Sequence, residues 1–480
     1  MTPHVKRWLP AVTATLLLTG CATNPATGGR MLSLVSEGQE IQMGQEAQQQ
    51  VNAQMGLYDD QALQAYVDSV GQALAATSER PNLPWSFAIV DDPVINAFAL
   101  PGGPVYLARG IMAYFNSEAE MASVLGHEIG HITARHSVEQ ISRAQLAQIG
   151  FVAGMVAVPE LRPFGDVLSG GLGLLFLKYS RDDESQADLL GHRYMLRLGY
   201  DPEGAVEMFQ ILERQRQASG SGIPEWQSSH PNPGNRVEAA RERVQEDGNP
   251  GGIVRRDPYL HRIEGLVYGP DPREGYFRDD RFIHPDMRFR LDFPSGWQRQ
   301  NTPMVVQAMS PDKDAVVELT IVPDKTPAQA AAEFWDIQGL QRLGSSNQTV
   351  NGLPAVLGRF RVTRQQGQAL EGLVMFVEHR GQTFRVLGYT TADRAGRYSP
   401  TFERTLGSFA PETDARLLDV EPKRIDVIEL PESMSVESFN QRYPSTIEFQ
   451  DVLMLNGWSE GQRLAAGSLA KRVVGSGGPR

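Results

Sequence analysis

His127-Glu128-Ile129-Gly130-His131 decides how this chain reads, and it lies within Leu125-Gly126-His127-Glu128-Ile129-Gly130-His131-Ile132-Thr133-Ala134-Arg135-His136. On a helix, His127 and His131 stand one turn apart on one face. Two imidazoles so placed can share a zinc ion. Glu128, beside the first, can then serve as general base toward a water held by the metal. The helix is expected on local grounds as well. Ser117 followed three residues later by Glu120 is a capping box, and the apolar pattern continues through Leu125, Ile129 and Ile132.

Downstream, Tyr179-Ser180-Arg181-Asp182-Asp183-Glu184 opens a second helix that runs to about Leu198 and stops at Gly199. Glu184 is the best third zinc ligand, and Asp188, four residues on, shares its face. Asp188 can accept the second N–H of a zinc histidine and fix its tautomer. Between the two helices, Leu161 to Phe176 is glycine-rich and apolar, and reads either as a plain loop or as a lid over a cleft. Asp201-Pro202 starts another helix. The loop Ser228 to Arg236 follows, then a helix to about Glu246. From spacing alone His230 and Arg236 read as a loop histidine and an exposed arginine. His136 is five residues past His131 and is expected to turn away from the zinc face. His192, His261, His284 and His379 carry no partner pattern.

Upstream, Glu37 to Met55 and Asp60 to Glu79 read as helices, the second with Asp60 as N-cap. Trp85 to Val90, Asn96 to Leu100 and Val105 to Leu107 read as strands, with Pro101-Gly102-Gly103-Pro104 as a turn. Asn24 to Arg30 reads as a tether. Before it, Lys6 and Arg7 precede a short apolar run, Leu9 to Leu18, which ends in Leu18-Thr19-Gly20-Cys21. The run is too short to span a bilayer. It resembles the lipobox of bacterial lipoproteins, which implies cleavage before Cys21 and lipidation of its thiol. Ala22 in the next position favours the outer membrane, facing the periplasm. Cys21 is the chain's one cysteine, so neither an internal disulfide nor a cysteine-rich zinc ribbon is possible. A net charge of −12 over 480 residues argues against a nucleic-acid partner.

The set His127-Glu128-x-x-His131, Glu184-x-x-x-Asp188 and His230-Pro231-x-x-x-x-Arg236 resembles the zinc endopeptidases of peptidase family M-forty-eight. That gluzincin-like group includes the prenyl proteases, a mitochondrial stress protease and exported bacterial enzymes. The resemblance runs from about Asn24 to Glu246. It implies one zinc ion per chain, held by His127, His131 and Glu184, with Glu128 as base and proton shuttle and Asp188 behind a zinc histidine. It also gives His230 and Arg236 a role that spacing does not, since both would lie beside the metal as oxyanion or substrate groups. In some periplasmic relatives the loop histidine instead fills the open metal position and keeps the enzyme latent. The segment Asn96, Ala97, Phe98 and Ala99 resembles the family's edge strand, along which a peptide substrate lies.

Beyond that half, Gly251 to His284 reads as a linker. Met287 to Pro411 alternates as strands, with helices expected at Pro327 to Leu343 and Tyr398 to Phe409. This α+β stretch resembles the PsbP/Mog-like fold. The tail, from about Ile425 to Val474, resembles a LysM module, a βααβ peptidoglycan binder.

The expected architecture is a multidomain α+β chain: a lipoprotein signal at 1–20, a mostly helical gluzincin-like metalloprotease domain with a small edge-strand sheet at 21–250, a linker at 251–284, an α+β domain at 285–412 and a LysM-like unit at 413–480. The expected partners are protein or peptide substrates, outer-membrane lipid through Cys21, and either peptidoglycan or envelope assembly machinery. Two functions stay open. One is an envelope endopeptidase acting on unfolded or misassembled proteins. The other is a latent protease acting mainly as a chaperone-like or wall-binding assembly factor.

Overall fold

Ser117 begins the helix that carries the motif, and its hydroxyl accepts a hydrogen bond from the Glu120 amide at 3.2 Å. Only half of the expected capping box forms. The Glu120 carboxylate reaches past Ser117 to the amide of Asn116, at 2.8 Å. The helix spans Glu118–Thr133 and is buried on every side. Burial all round makes it the axis of its unit rather than a surface helix.

The computed structural model describes residues 21–155, 178–218, 230, 235–363 and 368–479. The expected signal, the Gly-rich stretch 161–176 and the loop flanking His230 lie outside the described residues. The described residues form two units. The first holds the chain up to Gly269 together with Arg424–Val474, and the second holds Pro270–Lys423 with the residues from Gly475 onward.

In the first unit the strands Ser86–Val90, Pro104–Ala108 and Ala97–Ala99 make a sheet with the middle strand parallel to the first and antiparallel to the last. Ala97–Ala99 is therefore an edge strand. The turn before Pro104 uses Gly102 and Gly103 at positive φ, pressed against the backbone of Ile41 and Pro84 where a side chain would not fit. Helices Glu37–Met55 and Gln61–Ala76 flank the sheet, and Asp60 caps the second through the Leu63 amide. The expected tether Asn24 to Arg30 is instead the loop of a hairpin, with Cys21–Thr23 paired to Arg30–Leu32.

The expected linker, Gly251 to His284, is no linker: from Pro270 it belongs to the second unit, with strands Tyr276–Arg278 and Arg281–His284, and up to Gly269 it joins the first unit's core. Arg256–Arg262 is a helix, and Tyr259, Leu260 and Ile263 are 0% exposed in the main apolar cluster. Its Pro and charged residues suggest a solvated linker, but the apolar residues between them recur at helical spacing and are buried. The tail belongs here too. Its order is strand, helix, helix, strand: Arg424–Glu429, Val436–Arg442, Phe449–Asn456 and Leu469–Val474, with the outer strands paired antiparallel. Ile425, Leu455, Leu469 and Val473 join the core of the first unit. Lys471, fully buried, donates to the carbonyls of Ala113 and Phe115 at 2.7 and 2.8 Å.

The second unit centres on a seven-stranded antiparallel sheet. Its order is Leu340–Val350, Leu353–Val362, Leu370–His379, Gln382–Thr391, Ala315–Val322, Val306–Met309 and Gln298–Asn301. Alternating residues feed two cores. Phe334 of helix Pro327–Trp335 packs with Val374 and Phe376, while Phe402 and Leu406 of helix Ala395–Gly407 pack with Met375 and Val377. The helix expected to reach Leu343 ends at Trp335, and Leu340–Val350 is a strand. Gly339 at positive φ lies between the two elements and turns the chain into the sheet. Among the described residues no helix is long and apolar enough to cross a membrane.

Candidate metal centre

Two helices build the site, and glycines let them meet. A Cβ on Gly130 would stand 3.0 to 3.1 Å from the backbone of Ala187, and one on Gly191 would stand 2.8 Å from the amide nitrogen of His127. Gly126 faces Gly191 in the same way. This seam of small residues seats helix Arg181–Arg197 directly on helix Glu118–Thr133. The second helix is anchored at its start by a capping box between Ser180 and Asp183. It then points Glu184 and Asp188 at the histidines.

His127, His131, Glu184 and His230 converge, all buried, as a group able to hold one metal ion. The two Nε2 atoms of His127 and His131 are 3.0 Å apart. His230 Nδ1 lies 3.3 Å from His127 Nε2 and 3.0 Å from Glu184 Oε1. Glu184 Oε1 is 3.5 Å from His131 Nε2. Tetrahedral zinc with bonds of about 2.0–2.2 Å sets its ligand atoms about 3.3–3.6 Å apart; two of these separations match and the two at 3.0 Å are a few tenths shorter, and three imidazoles with one carboxylate are donors of the type zinc takes. Glu128 is 0% exposed, and neither of its carboxylate oxygens has a hydrogen-bond partner among the described residues. Its Oε1 stands 3.6 Å from His230 Nε2. A buried, unpartnered carboxylate beside three histidines is what a base awaiting a water looks like.

Asp188 accepts from His127 Nδ1 at 2.9 Å, which leaves the His127 Nε2 lone pair facing the metal position. Arg236, which spacing alone reads as exposed, is buried. Its guanidinium forks onto Asp188 at 3.0 and 2.5 Å, lies 3.4 Å from Glu184 Oε2 and stacks over Phe209. It pairs with Asp188, which bonds His127, and with Glu184, itself one of the four donors. His136 also departs from expectation. Arg135 takes a left-handed φ of 61°, ending one helix and starting His136–Met155. The break turns His136 back until its Nδ1 is 2.9 Å from that of His131. A continuous helix would have carried it round the far side. Arg135 is held in that conformation by Glu40 and by the carbonyl of Val35. Tyr179 stacks on the His131 ring at 3.9 Å. Neither His136 nor Tyr179 was marked by sequence spacing. The one signal was their nearness to the two motifs.

The electrostatics follow from burial and these contacts. Burial raises the Glu128 carboxyl above the ordinary glutamate range, and the nearby histidines only partly offset it. Burial also works against Glu184, but His230, His131 and His127 hold it well below that range. Asp188 is likewise held down, against burial, by Arg236 and His127. Burial keeps His131 neutral, as a metal ligand must be.

Asn96, Ala97, Phe98 and Ala99 lie at the sheet edge, with the last three buried. The backbone at Cys21 opens the hairpin described above.

Residues 61–244 match the family model for Peptidase family M48. The chain is 32% identical over 260 residues to the beta-barrel assembly-enhancing protease of Yersinia pestis, covering 52% of each chain. It is 31% identical over 235 residues to the mitochondrial metalloendopeptidase OMA1 of Schizosaccharomyces pombe, covering 46% of this chain and 66% of the other. The chain spans about half the length of several curated relatives it matches. Among solved structures, the cyanobacterial PsbP of Synechocystis aligns with 27% of this chain and 91% of its own, at 16% identity and a TM-score of 0.23.

Proposed function

We propose, for a chain whose residues 61–244 belong to peptidase family M48, that it is a zinc-dependent endopeptidase acting on unfolded or misassembled proteins of the bacterial cell envelope. One observation carries the reading. Four buried donors surround a single metal position, with the unpartnered Glu128 beside it. When bound by His127, His131 and Glu184, zinc supplies a Lewis acid that acidifies water and polarises a carbonyl. Glu128 takes the proton from the attacking water. Its raised affinity for protons lets it carry that proton to the leaving amine. Asp188 and Arg236 hold His127 and Glu184 in place through this exchange. The edge strand Ala97–Ala99 offers backbone N–H and C=O groups to an extended substrate chain, which suits substrates without their own fold. The printed name of the bacterial relatives, beta-barrel assembly-enhancing protease, supports an envelope-assembly setting.

His230 supports a second state of the same enzyme. Its Nδ1 sits among the other ligand atoms rather than at a distance from them. In that position it would be a fourth donor to a bound zinc ion and would hold the protease latent. The lipobox-like Leu18-Thr19-Gly20-Cys21 supports an outer-membrane lipoprotein facing the periplasm. The strand–helix–helix–strand order of the tail supports the LysM reading, with peptidoglycan as its ligand.

Metal content and casein cleavage test the proposal. Wild type is expected to hold one zinc and cleave, and Glu128→Gln to hold zinc without cleaving. A Glu128→Gln variant that cleaves as wild type does would refute the mechanism. Faster cleavage by His230→Ala establishes latency, and slower cleavage makes His230 a catalytic helper.

A further inference from the structure

We propose that His136 and Gln186 are positioning residues for the metal ligand His131, and that the N-terminal hairpin locks them through Asn24. The inference rests on the zinc reading above and adds a second support, independent of Asp188.

The geometry allows one arrangement of protons. His131 and His136 face each other through their Nδ1 atoms at 2.9 Å, so one nitrogen carries hydrogen and the other a lone pair. His131 turns Nε2 to the metal position, so its proton sits on Nδ1 and it donates. His136 Nδ1 therefore accepts, and the proton of this neutral ring sits on Nε2. That atom lies 2.8 Å from Gln186 Oε1, an acceptor. Asp183 Oδ1, at 3.7 Å, adds negative charge on the same side. Asn24 Nδ2 donates to the same Gln186 oxygen at 3.3 Å. The Asn24 amide cannot flip without loss, because its Oδ1 accepts from the Ala26 amide at 2.9 Å. The hairpin holds Asn24 itself through its amide on the Gly29 carbonyl at 2.7 Å and its carbonyl on the Gly28 amide at 2.8 Å.

Each link described pairs a donor with an acceptor, and reversing one link reverses the rest. If Gln186 turned its NH2 toward His136, the His136 proton would move to Nδ1 and meet the proton on His131 Nδ1. His131 could relieve that clash only by carrying its proton on Nε2, where the metal binds. The orientation of Gln186 thus decides whether His131 is a ligand. Asn24, more than 150 residues away in sequence, biases that orientation. Groups that fix the tautomer of a ligating histidine change metal affinity by about 10- to 100-fold.

The test is zinc affinity of the purified full chain by chelator competition, with the visible spectrum of the cobalt-loaded protein as a second readout. His136→Phe and Gln186→Met are expected to bind zinc about 10- to 100-fold more weakly and to shift the cobalt spectrum. His136→Gln and Gln186→Glu preserve an acceptor at the required place and are expected to stay within about 3-fold of wild type. Asn24→Ala is expected to fall between. Should His136→Phe not fold, Gln186→Met at its half-exposed position carries the test. Wild-type affinity and spectrum in Gln186→Met would overturn the proposal, as would equal losses in Gln186→Met and Gln186→Glu. A wild-type chain that takes up no zinc would overturn the metal reading and this proposal together. Zinc bound equally by wild type and all variants would overturn this proposal alone.

Discussion

Gly191→Ala sets two effects of opposite sign against each other. Alanine is the better helix former by about 1 kcal/mol, so at an open helical position the change stabilises. Gly191 is not open. The added methyl would lie 2.8 Å from the amide nitrogen of His127, where ordinary contact begins at 3.4 Å. The obstacle is helix backbone, so the two helices must part by about 0.6 Å, the difference between those distances. Metal sites tolerate ligand displacements of about 0.2 Å. Helix Arg181–Arg197 carries Glu184 and Asp188, so the shift is transmitted to the site. The expected result is a loss of about 1–3 kcal/mol of stability from overpacking and a fall in zinc affinity of about 10- to 100-fold. Thermal melts of the metal-free protein and chelator competition measure the two. Leu189→Ala, at an exposed position of the same helix, serves as the control. A Gly191→Ala protein that melts higher than wild type and binds zinc normally would refute the reasoning, because propensity would then have outweighed the steric contact.

Lys471→Met leaves the buried carbonyls of Ala113 and Phe115 without a donor, and is expected to cost about 1–3 kcal/mol in a thermal melt. An unchanged melt would show that the tail does not support the peptidase core. Asp188→Asn removes one of the two carboxylates paired with Arg236, Glu184 remaining at 3.4 Å, and is expected to cost about 1–3 kcal/mol at neutral pH. The acid response gives the sign. Arg236 and His127 hold the Asp188 carboxyl below its ordinary value of about 4, so its stabilisation is present above that pH and lost as pH falls through the lower value. Metal-free wild type should therefore lose more stability below pH ~4 than Asp188→Asn does, and parallel curves would count against it. Ser180→Ala removes the cap of the acidic helix and is expected to cost about 1 kcal/mol, read from a denaturant midpoint at unchanged slope.

The motif helix and the candidate ligands were legible because they depend on local order. Two histidines four apart share a helical face wherever the helix sits, and Ser117 marks its start by its own hydrogen bond. Glu184 and Asp188 were legible for the same reason, as one face of a capped helix. The strands Ala315–Val322, Leu353–Val362, Leu370–His379 and Gln382–Thr391 showed in their period of two, whereas the short Gln298–Asn301 and Val306–Met309 did not. The helix–strand switch after Trp335 did not, because the residues from Ile337 to Leu343 suit either state and pairing with Leu353–Val362 decides between them.

By itself, then, the sequence singled out His127, Glu128, His131 and Glu184 in helical register, the group that the structure brings together with His230. Tertiary structure alone decided what surrounds them. Arg135 adopts a left-handed φ because Glu40 and Val35 hold its side chain, and that bend makes His136 a partner of His131. Arg236 reads as an exposed arginine from spacing and is a buried clamp on Asp188 in space. The tail reads as a separate module and is bound into the first core by Ile425, Val473 and Lys471. Each of these depends on residues far apart in the chain meeting with little room between them, a condition that spacing and periodicity do not encode.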